Sequence, residues 1–488
     1  MSRTASKRAG TKCWAGVEAQ RPCPMPSFVR WLAASALWAA AAAGVFWGLP
    51  SVPPAARWAL LVFAAAILAW TVLDLDETPV ALAGALALLA AGATSVQSFY
   101  AGLGDDFIWL LIGAFILAAV LQASGVAQRW ALAVVAGAAT PAALLRRLTW
   151  FITATALVLP STSGRAALLL PVFVVLVQAL STSGPQPRLV QALALLFPSV
   201  ILLSACISLL GAGAHLVALD FMQRLGAPVP GFLGWLWLAG PFGLLSSLLA
   251  CELIIALKLR REERSQPISL PSPETGPLSS AQRAIVAVTG ATLLAWATAG
   301  WHGVPAPMVA LCGALLATVK PLTGCDLKAA LKKVEWNLVL FMAATLIMGE
   351  ALVESGAAQA LAQALVAAVP LAGLHPVAGV GIAAALALLA HLVVTSRTAR
   401  ATVLIPAVAL PFAAAGYSPG LLVFMLAVGS GFCQTLMVSA KPVAMFAGED
   451  RQHYGPRELA RLSLALMPGL WLLLVLFAVV VWPRQGLA

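Results

Sequence analysis

One short polar segment occurs twice in this chain, each time inside a long apolar run. The first copy, residues 161–165, reads Ser-Thr-Ser-Gly-Arg, and the second, residues 396–400, reads Ser-Arg-Thr-Ala-Arg. In both copies an arginine follows the first serine by four residues and a proline follows it by ten. An ionisable side chain costs about 3 kcal/mol or more at the centre of a bilayer, and in transporters such breaks mark the substrate pathway. The repeated segment therefore predicts a binding site built from two related halves.

The composition places the chain in a membrane. Of its 488 residues, 61% are hydrophobic and 10% are charged, and the mean hydropathy is +0.95, whereas about a quarter of the residues are charged in a soluble protein. The net charge of +11 comes largely from basic residues in short segments between apolar runs, a pattern typical of cytoplasmic loops. We therefore predict a polytopic protein of the plasma membrane (the inner membrane in a bacterium), with a cytoplasmic N-terminus and no nucleic-acid partner.

The apolar runs form two halves on either side of a polar linker. The predicted divisions are a cytoplasmic basic leader (1–30), a first transmembrane helix (31–55), a first repeat (56–257), a cytoplasmic linker (258–282) and a second repeat (283–488). Counting spans predicts an all-α protein with about 11 transmembrane helices. The motif segments, 148–180 and 376–415, are predicted to be re-entrant hairpins instead. An odd number of spans in each repeat makes the second repeat inverted in the membrane.

The motif and its surroundings resemble the divalent anion:sodium symporters, which carry dicarboxylates, tricarboxylates or sulfate. That family has a Ser-Asn-Thr tripeptide in each of two hairpins; here residues 161–163 and 396–398 occupy those places, with the family's prolines matched by Pro171 and Pro406. Residues 76–79, 107–128, 334–336 and 438–448 extend the similarity. The resemblance implies an elevator-type transporter fold with inverted repeats, and a homodimer in which a scaffold supports a moving transport domain.

Two sets of site residues follow from this resemblance and from the arginines. The predicted substrate-binding residues are Ser161, Thr162, Ser163, Arg165, Ser396, Arg397, Thr398 and Arg400. The planar guanidinium fork suits carboxylate or sulfate oxygens. In the family, the hairpin tips and the loops after them also hold sodium ions. The corresponding loop residues here, the predicted ion-binding set, are Gly211, Ser439 and Ala440.

Substitutions within the motif change the expected coupling. Thr162 and Arg397 replace the family's asparagines, and arginines occupy positions 165 and 400, where the family has threonine. Three fixed guanidinium groups supply positive charge that sodium ions bring in the family, so we expect exchange of one anion for another without sodium. Sodium- or proton-coupled symport on the same fold is the alternative. The expected substrate is a small divalent anion, organic or inorganic.

Two other classes of function fit a membrane protein of this composition less well. A passive anion channel would use rings of arginine, and an enzyme would need a nucleophile with a base, or paired acids, at motif spacing. The seven cysteines and five histidines are scattered without metal-ligand spacing, so we predict no metal site and no cofactor besides a coupling ion. The sequence thus predicts a transporter without catalytic residues, whose partners are a small anion, the lipid bilayer and a second copy of the chain.

Overall fold

The computed structural model describes residues 27–48, 52–182, 186–268, 276–368, 373–448 and 452–487. All regular structure in these ranges is helical, which confirms the prediction of an all-α protein. The predicted basic leader lies almost entirely outside the described residues, and so does the middle of the predicted linker.

The first half of the chain extends to the linker. Its helices are α1 Ser27–Gly48, α2 Pro54–Thr71, α3 Glu77–Ala90, α4 Val96–Leu103, α5 Asp106–Ala123, α6 Val126–Ala136, α7 Pro141–Thr155, α8 Thr162–Thr182, α9 Pro187–Ser204, α10 Gly213–Arg224 and α11 Phe232–Lys258. Two short 3-10 turns, Ala205–Ile207 and Leu209–Gly211, separate α9 from α10.

The second half begins after the linker. Its helices are α12 Ser280–Ala297, α13 Ala299–His302, α14 Ala306–Ala317, α15 Lys320–Thr323, α16 Leu327–Leu331, α17 Trp336–Glu354, α18 Ala357–Ala368, α19 Pro376–Leu389, α20 Arg397–Leu404, α21 Leu410–Ala414, α22 Pro419–Gly429, α23 Lys441–Ala447, α24 Pro456–Leu476 and α25 Trp482–Arg484. A π-helical turn, Ile405–Ala409, joins α20 to α21. It contains Pro406, which has no amide hydrogen to continue the α-helical bonding pattern.

Eight helical segments in the described ranges are long and apolar enough to cross a membrane. They are Phe28–Gly48, Pro54–Thr71, Val96–Ala123, Thr162–Leu180, Pro187–Ile207, Phe232–Lys258, Trp336–Glu354 and Pro456–Arg484. Five further apolar helices have 10–17 residues, which is short for a complete crossing. The structure is therefore that of a multi-pass membrane protein, and the number of crossings stays a prediction.

Each segment predicted to be a hairpin is a helix, a break and a second helix, with the motif at the break. The first consists of α7 and α8, and the second of α19, a 3-10 turn at Ala390–Leu392, and α20. Helix α7 begins at Pro141 rather than near residue 148, because the Thr140 hydroxyl accepts a hydrogen bond from the Ala143 amide (3.3 Å) and proline suits the first helical position.

A broken helix follows each of these segments. In the first half, α9 ends at Ser204 and α10 starts after Ala212; in the second, α22 ends at Gly429 and α23 starts after Ala440. The two alanines have nearly the same extended backbone, with φ/ψ of −160/148° and −158/141°. The two halves thus have a similar order of elements, and the inverted repeat stays a prediction.

Close helix contacts connect the two halves of the chain. Helix α5 packs along α14, and α3 packs along α17. A Cβ atom added at Gly113 would lie 2.7 Å from the Cβ atom of Ala310, so glycine allows these helices to approach each other as small residues do in membrane bundles. The N-terminal ends of α3 and α17 also reach the two motif segments, through Glu77 and Glu335.

Candidate functional site

The first motif is stabilised by a carboxylate from the second half of the chain. The buried Ser161 donates a hydrogen bond from Oγ to Oε1 of Glu335 at 2.7 Å. Its backbone has φ +73°, a left-handed conformation that costs a residue with a side chain about 1 kcal/mol or more. Glu335 immediately precedes α17. The break between α7 and α8 is thus a constrained turn that depends on a contact with a distant helix.

The second motif begins helix α20 and contacts the first half of the chain. Ser396 is the N-cap residue, and its Oγ accepts a hydrogen bond from the Ala399 amide at 3.3 Å. The Ser396 hydroxyl is also a hydrogen-bonding neighbour of Glu77, the first residue of α3. Thr398 is buried against Gly213, where an added Cβ atom would lie 2.9 Å from the threonine Oγ1.

The structure brings the two motifs into one region. The Thr78 hydroxyl donates to the carbonyl of Asn337 at 2.9 Å, so the N-terminal ends of α3 and α17 lie side by side. Glu77 is next to Thr78, and Glu335 is two residues before Asn337, so the helix starts that carry the two glutamates lie close together.

Arg165 is completely buried and all three of its guanidinium nitrogens donate to protein oxygens. Nε bonds to Oγ1 of Thr155 at 3.1 Å, and Nη1 bonds to the carbonyl of Ile201 at 2.9 Å. Nη2 bonds to the carbonyl of Ile152 at 2.6 Å and to Oγ of Ser204 at 2.8 Å. This arginine therefore connects the end of α7 to the end of α9.

Arg400 is also completely buried and makes the corresponding contacts in the second half. Nε bonds to the carbonyl of Val394 at 3.0 Å and Nη2 to that of Thr395 at 3.0 Å. Nη1 bonds to the carbonyl of Ser430 at 2.6 Å and, less closely, to that of Phe432 at 3.4 Å. It joins the break before α20 to the break after α22.

These contacts give Arg165 and Arg400 a structural role. Helix breaks leave carbonyl groups without intrahelical donors, and a carbonyl buried without a donor costs roughly 1–3 kcal/mol. Each arginine supplies donors to two such breaks at once. Direct contact with an anion remains a prediction for both residues, and the geometry favours stabilisation of the surrounding backbone instead.

Arg397 differs from the other two arginines because part of its guanidinium has no partner. Nη2 donates to Nε2 of His215 at 3.0 Å, and Nε approaches Oγ of Ser430 at 3.4 Å. Nη1 is buried and has no hydrogen-bond partner within the described part of the chain. The charge of Arg397 also acts on both Arg165 and Arg400, so the three side chains lie in one positively charged region.

The position of Arg397 in its helix adds to this positive potential. It is the first residue of α20, and the N-terminus of a helix carries a partial positive charge of about +0.5. A cation is the disfavoured type of residue there, whereas an anion is stabilised. A buried cationic donor at such a position suits the recognition of an oxyanion.

The remaining predicted residues make local contacts that do not assign them a role in binding. Thr162 and Ser163 are partly buried at the start of α8. Among the predicted ion-binding residues, Gly211 packs against the Ala205 carbonyl, where an added Cβ atom would approach to 1.9 Å. Ser439 is buried and its Oγ accepts a hydrogen bond from the Leu436 amide at 3.2 Å, and Ala440 caps α23. A sodium site at these residues stays a prediction.

Two of the contacting groups, Glu77 and Glu335, were not predicted as site residues. Both lie at the start of an apolar run, a position that sequence reasoning assigns to the membrane interface. Their contacts with Ser396 and Ser161 join segments far apart in the chain. Among the described residues, no group of three or more His, Cys, Asp and Glu side chains is arranged to hold a metal ion.

Comparison with known proteins agrees with this architecture. The family model described as the sodium:sulfate symporter transmembrane region matches residues 29–485. A protein of Cupriavidus necator named "Membrane protein" is 24% identical over 313 residues, and the match spans 63% of this chain and 61% of that relative. The structure is similar to that of the Alcanivorax borkumensis YdaH transporter, described as having an unusual topology, with a TM-score of 0.57 and 16% identity over 89% of this chain and 99% of that one.

Proposed function

Because this chain belongs to the sodium:sulfate symporter family, the divalent anion:sodium symporters, we propose that it carries a small divalent anion across the membrane by alternating access. Family and fold are those of a transporter rather than an enzyme. The substrate class we propose comprises dicarboxylates, tricarboxylates and sulfate. The proposed assembly is a homodimer in which each scaffold supports a moving transport domain.

The main observation behind this proposal is that the Nη1 nitrogen of the Arg397 guanidinium has no hydrogen-bond partner in the described part of the chain. Its Nη1 donors are buried without a partner in the described ranges, and an unsatisfied charged donor is costly in a desolvated place. An anion oxygen bound to Nη1 would remove that cost. A carboxylate or sulfate presents the oxygen spacing that a guanidinium binds with paired hydrogen bonds.

The charge of the site supports exchange rather than sodium-coupled symport. Three guanidinium groups, at Arg165, Arg397 and Arg400, outnumber the carboxylates of Glu77 and Glu335 at the motif serines. A carrier without an anion would therefore move net positive charge through a low-dielectric region, which is unfavourable. A carrier that returns with a second anion avoids this cost, so we propose obligatory exchange.

Counterflow into proteoliposomes tests the proposed function. Vesicles loaded with unlabelled succinate or sulfate are placed in the same labelled anion, with sodium present or replaced by choline. We expect saturable uptake that requires an anion inside and does not change with choline. Uptake without saturation or trans-stimulation would indicate a channel, and steep sodium dependence would indicate symport.

Substitution of Arg397 tests the binding site within the same assay. Arg397→Gln should raise the KM for the anion about tenfold or more, which is the scale for losing a charged hydrogen-bond partner. Arg484→Gln is the matched control, since Arg484 is an exposed residue that bonds to the nearby carbonyl of Val480, four residues earlier in the chain. Equal KM values for both variants and the unaltered protein would exclude Arg397 from the site.

A further inference from the structure

We propose that His215 is a positioning residue that holds the Arg397 guanidinium in the orientation in which it binds the anion. This inference rests on the proposed function, because it assigns a task within the same site. His215 lies in the first half of the chain, two residues after the start of α10, and Arg397 begins α20 in the second half. The contact between their side chains therefore joins the two halves at the site.

The hydrogen bonds of His215 determine which ring nitrogen carries the proton. Nδ1 lies 3.0 Å from the carbonyl oxygen of Ser208 and 3.2 Å from that of Leu209. Carbonyl oxygens only accept, so Nδ1 must be the donor. Nε2 lies 3.0 Å from Nη2 of Arg397, and a guanidinium nitrogen only donates. His215 is thus a neutral ring with Nδ1–H, and its Nε2 lone pair accepts from Arg397.

The imidazole ring has little freedom to adopt another orientation. His215 is completely buried, and its ring lies against Trp235 with centroids 4.8 Å apart. Trp235 is itself buried and donates from Nε1 to the Cys206 carbonyl at 2.8 Å. The two carbonyls at Nδ1 and the stacked indole therefore orient Nε2 toward Arg397.

A second close contact restricts Arg397 from another direction. A Cβ atom at Gly431 would lie 3.0 Å from Nη2 of Arg397 and 3.4 Å from Cζ. The guanidinium thus lies against bare backbone at Gly431 while His215 accepts from Nη2. Its Nη1 donors are left to bind a ligand. Ordering a long side chain before the anion binds reduces the entropy lost on binding.

Two substitutions separate the two hydrogen-bonding functions of the ring. An asparagine amide occupies nearly the place of Nδ1, so His215→Asn keeps a donor for the Ser208 and Leu209 carbonyls and loses the acceptor for Arg397. A glutamine side chain reaches the place of Nε2, so His215→Gln keeps an acceptor and loses the donor at Nδ1. A purely structural histidine would be replaced better by asparagine, and a positioning histidine by glutamine.

The test measures KM and maximal rate for labelled sulfate, and in parallel succinate, in the counterflow assay. We expect His215→Asn to raise KM about tenfold while the maximal rate at saturating anion is retained, and His215→Gln to stay within about threefold of the unaltered protein. His302→Asn, at an exposed histidine, is the control. Equal KM values for the Asn and Gln variants, or a larger effect of Gln, would overturn the inference.

The outcomes distinguish this inference from the proposed function. If the unaltered protein shows no saturable counterflow, the proposed function fails and the inference falls with it. If counterflow depends on Arg397 while His215→Asn has a normal KM, only the inference fails.

Should neither His215 variant fold, nitrogen NMR of the unaltered protein with labelled histidine decides. Sulfate must then shift the Nε2 signal of a neutral Nδ1–H ring in the unaltered protein but not in Arg397→Gln, and a missing shift would overturn the inference.

Discussion

Arg165, Arg397 and Arg400 have similar surroundings in the sequence but different hydrogen-bond partners in the structure. Arg165 and Arg400 donate to backbone and hydroxyl oxygens at two helix breaks each. Arg397 donates to His215 and keeps Nη1 unpaired within the described ranges. The number of carbonyl oxygens within reach therefore decides whether a buried arginine stabilises the fold or remains available to a ligand.

Substitution of these arginines should separate stability from binding. Arg165→Gln and Arg400→Gln each leave several buried oxygens without donors, so we expect a loss of about 3 kcal/mol or more of stability, seen as a lower Tm in detergent. Arg397→Gln removes an incompletely paired charge and should leave Tm unchanged or raise it. Normal Tm values for the first two variants, together with a raised KM, would instead restore the direct anion contact predicted for them.

At the scale of elements, the candidate site is assembled from helix ends. Both motifs lie at breaks, and both broken helices resume after an extended alanine, Ala212 or Ala440. Helix α10 can pack closely against the first turn of α20, at Thr398, because Gly213 has no side chain there. Interrupted helices place free N–H and C=O groups inside the protein, where polar groups and ligands must satisfy them.

Gly213→Ala tests this close approach. The added Cβ atom would lie 2.9 Å from Oγ1 of Thr398 and 3.1 Å from Sδ of Met342, so we expect a loss of about 1–3 kcal/mol and reduced counterflow as α10 is displaced. Gly290→Ala in α12 is the matched control, because a Cβ atom added there would have no neighbouring atom within 4 Å. That variant should be neutral or more stable by up to about 1 kcal/mol. Similar effects of both changes on Tm and transport would contradict the expectation.

At the scale of the whole molecule, the proposed alternating access requires the motif segments to move relative to other helices. The first motif contacts α17 through Ser161 and Glu335, and the second contacts α3 through Ser396 and Glu77. Helices α3 and α17 pack along each other. Under the proposed alternating access, these serine–glutamate contacts belong to one of the transport states and break when the site turns to the other side.

A covalent link at the first contact should therefore arrest transport. In a variant without the seven native cysteines, Ser161→Cys with Glu335→Cys is treated with a short bis(thiosulfonate), which joins the two thiols through disulfide bonds and releases sulfinate. We expect counterflow to fall to background and to return after the link is cleaved by reduction. The single cysteine variants, treated in the same way, are the controls. Full activity of a completely cross-linked protein would show that this contact persists throughout the transport cycle.

The sequence by itself determined that the chain is an all-α membrane protein of this family with two related polar breaks. Apolar length, charge distribution and a repeated motif are local properties, so they can be read without knowing which segments meet. Only the tertiary structure decided which arginine keeps guanidinium donors unpaired, because the four oxygens bonded to Arg165 come from two separate segments of the chain, residues 152–155 and 201–204. His215, Glu77 and Glu335 gain their contacts in the same way, from residues distant in sequence. Hydrogen-bond partners over such separations depend on helix packing, which no local pattern specifies.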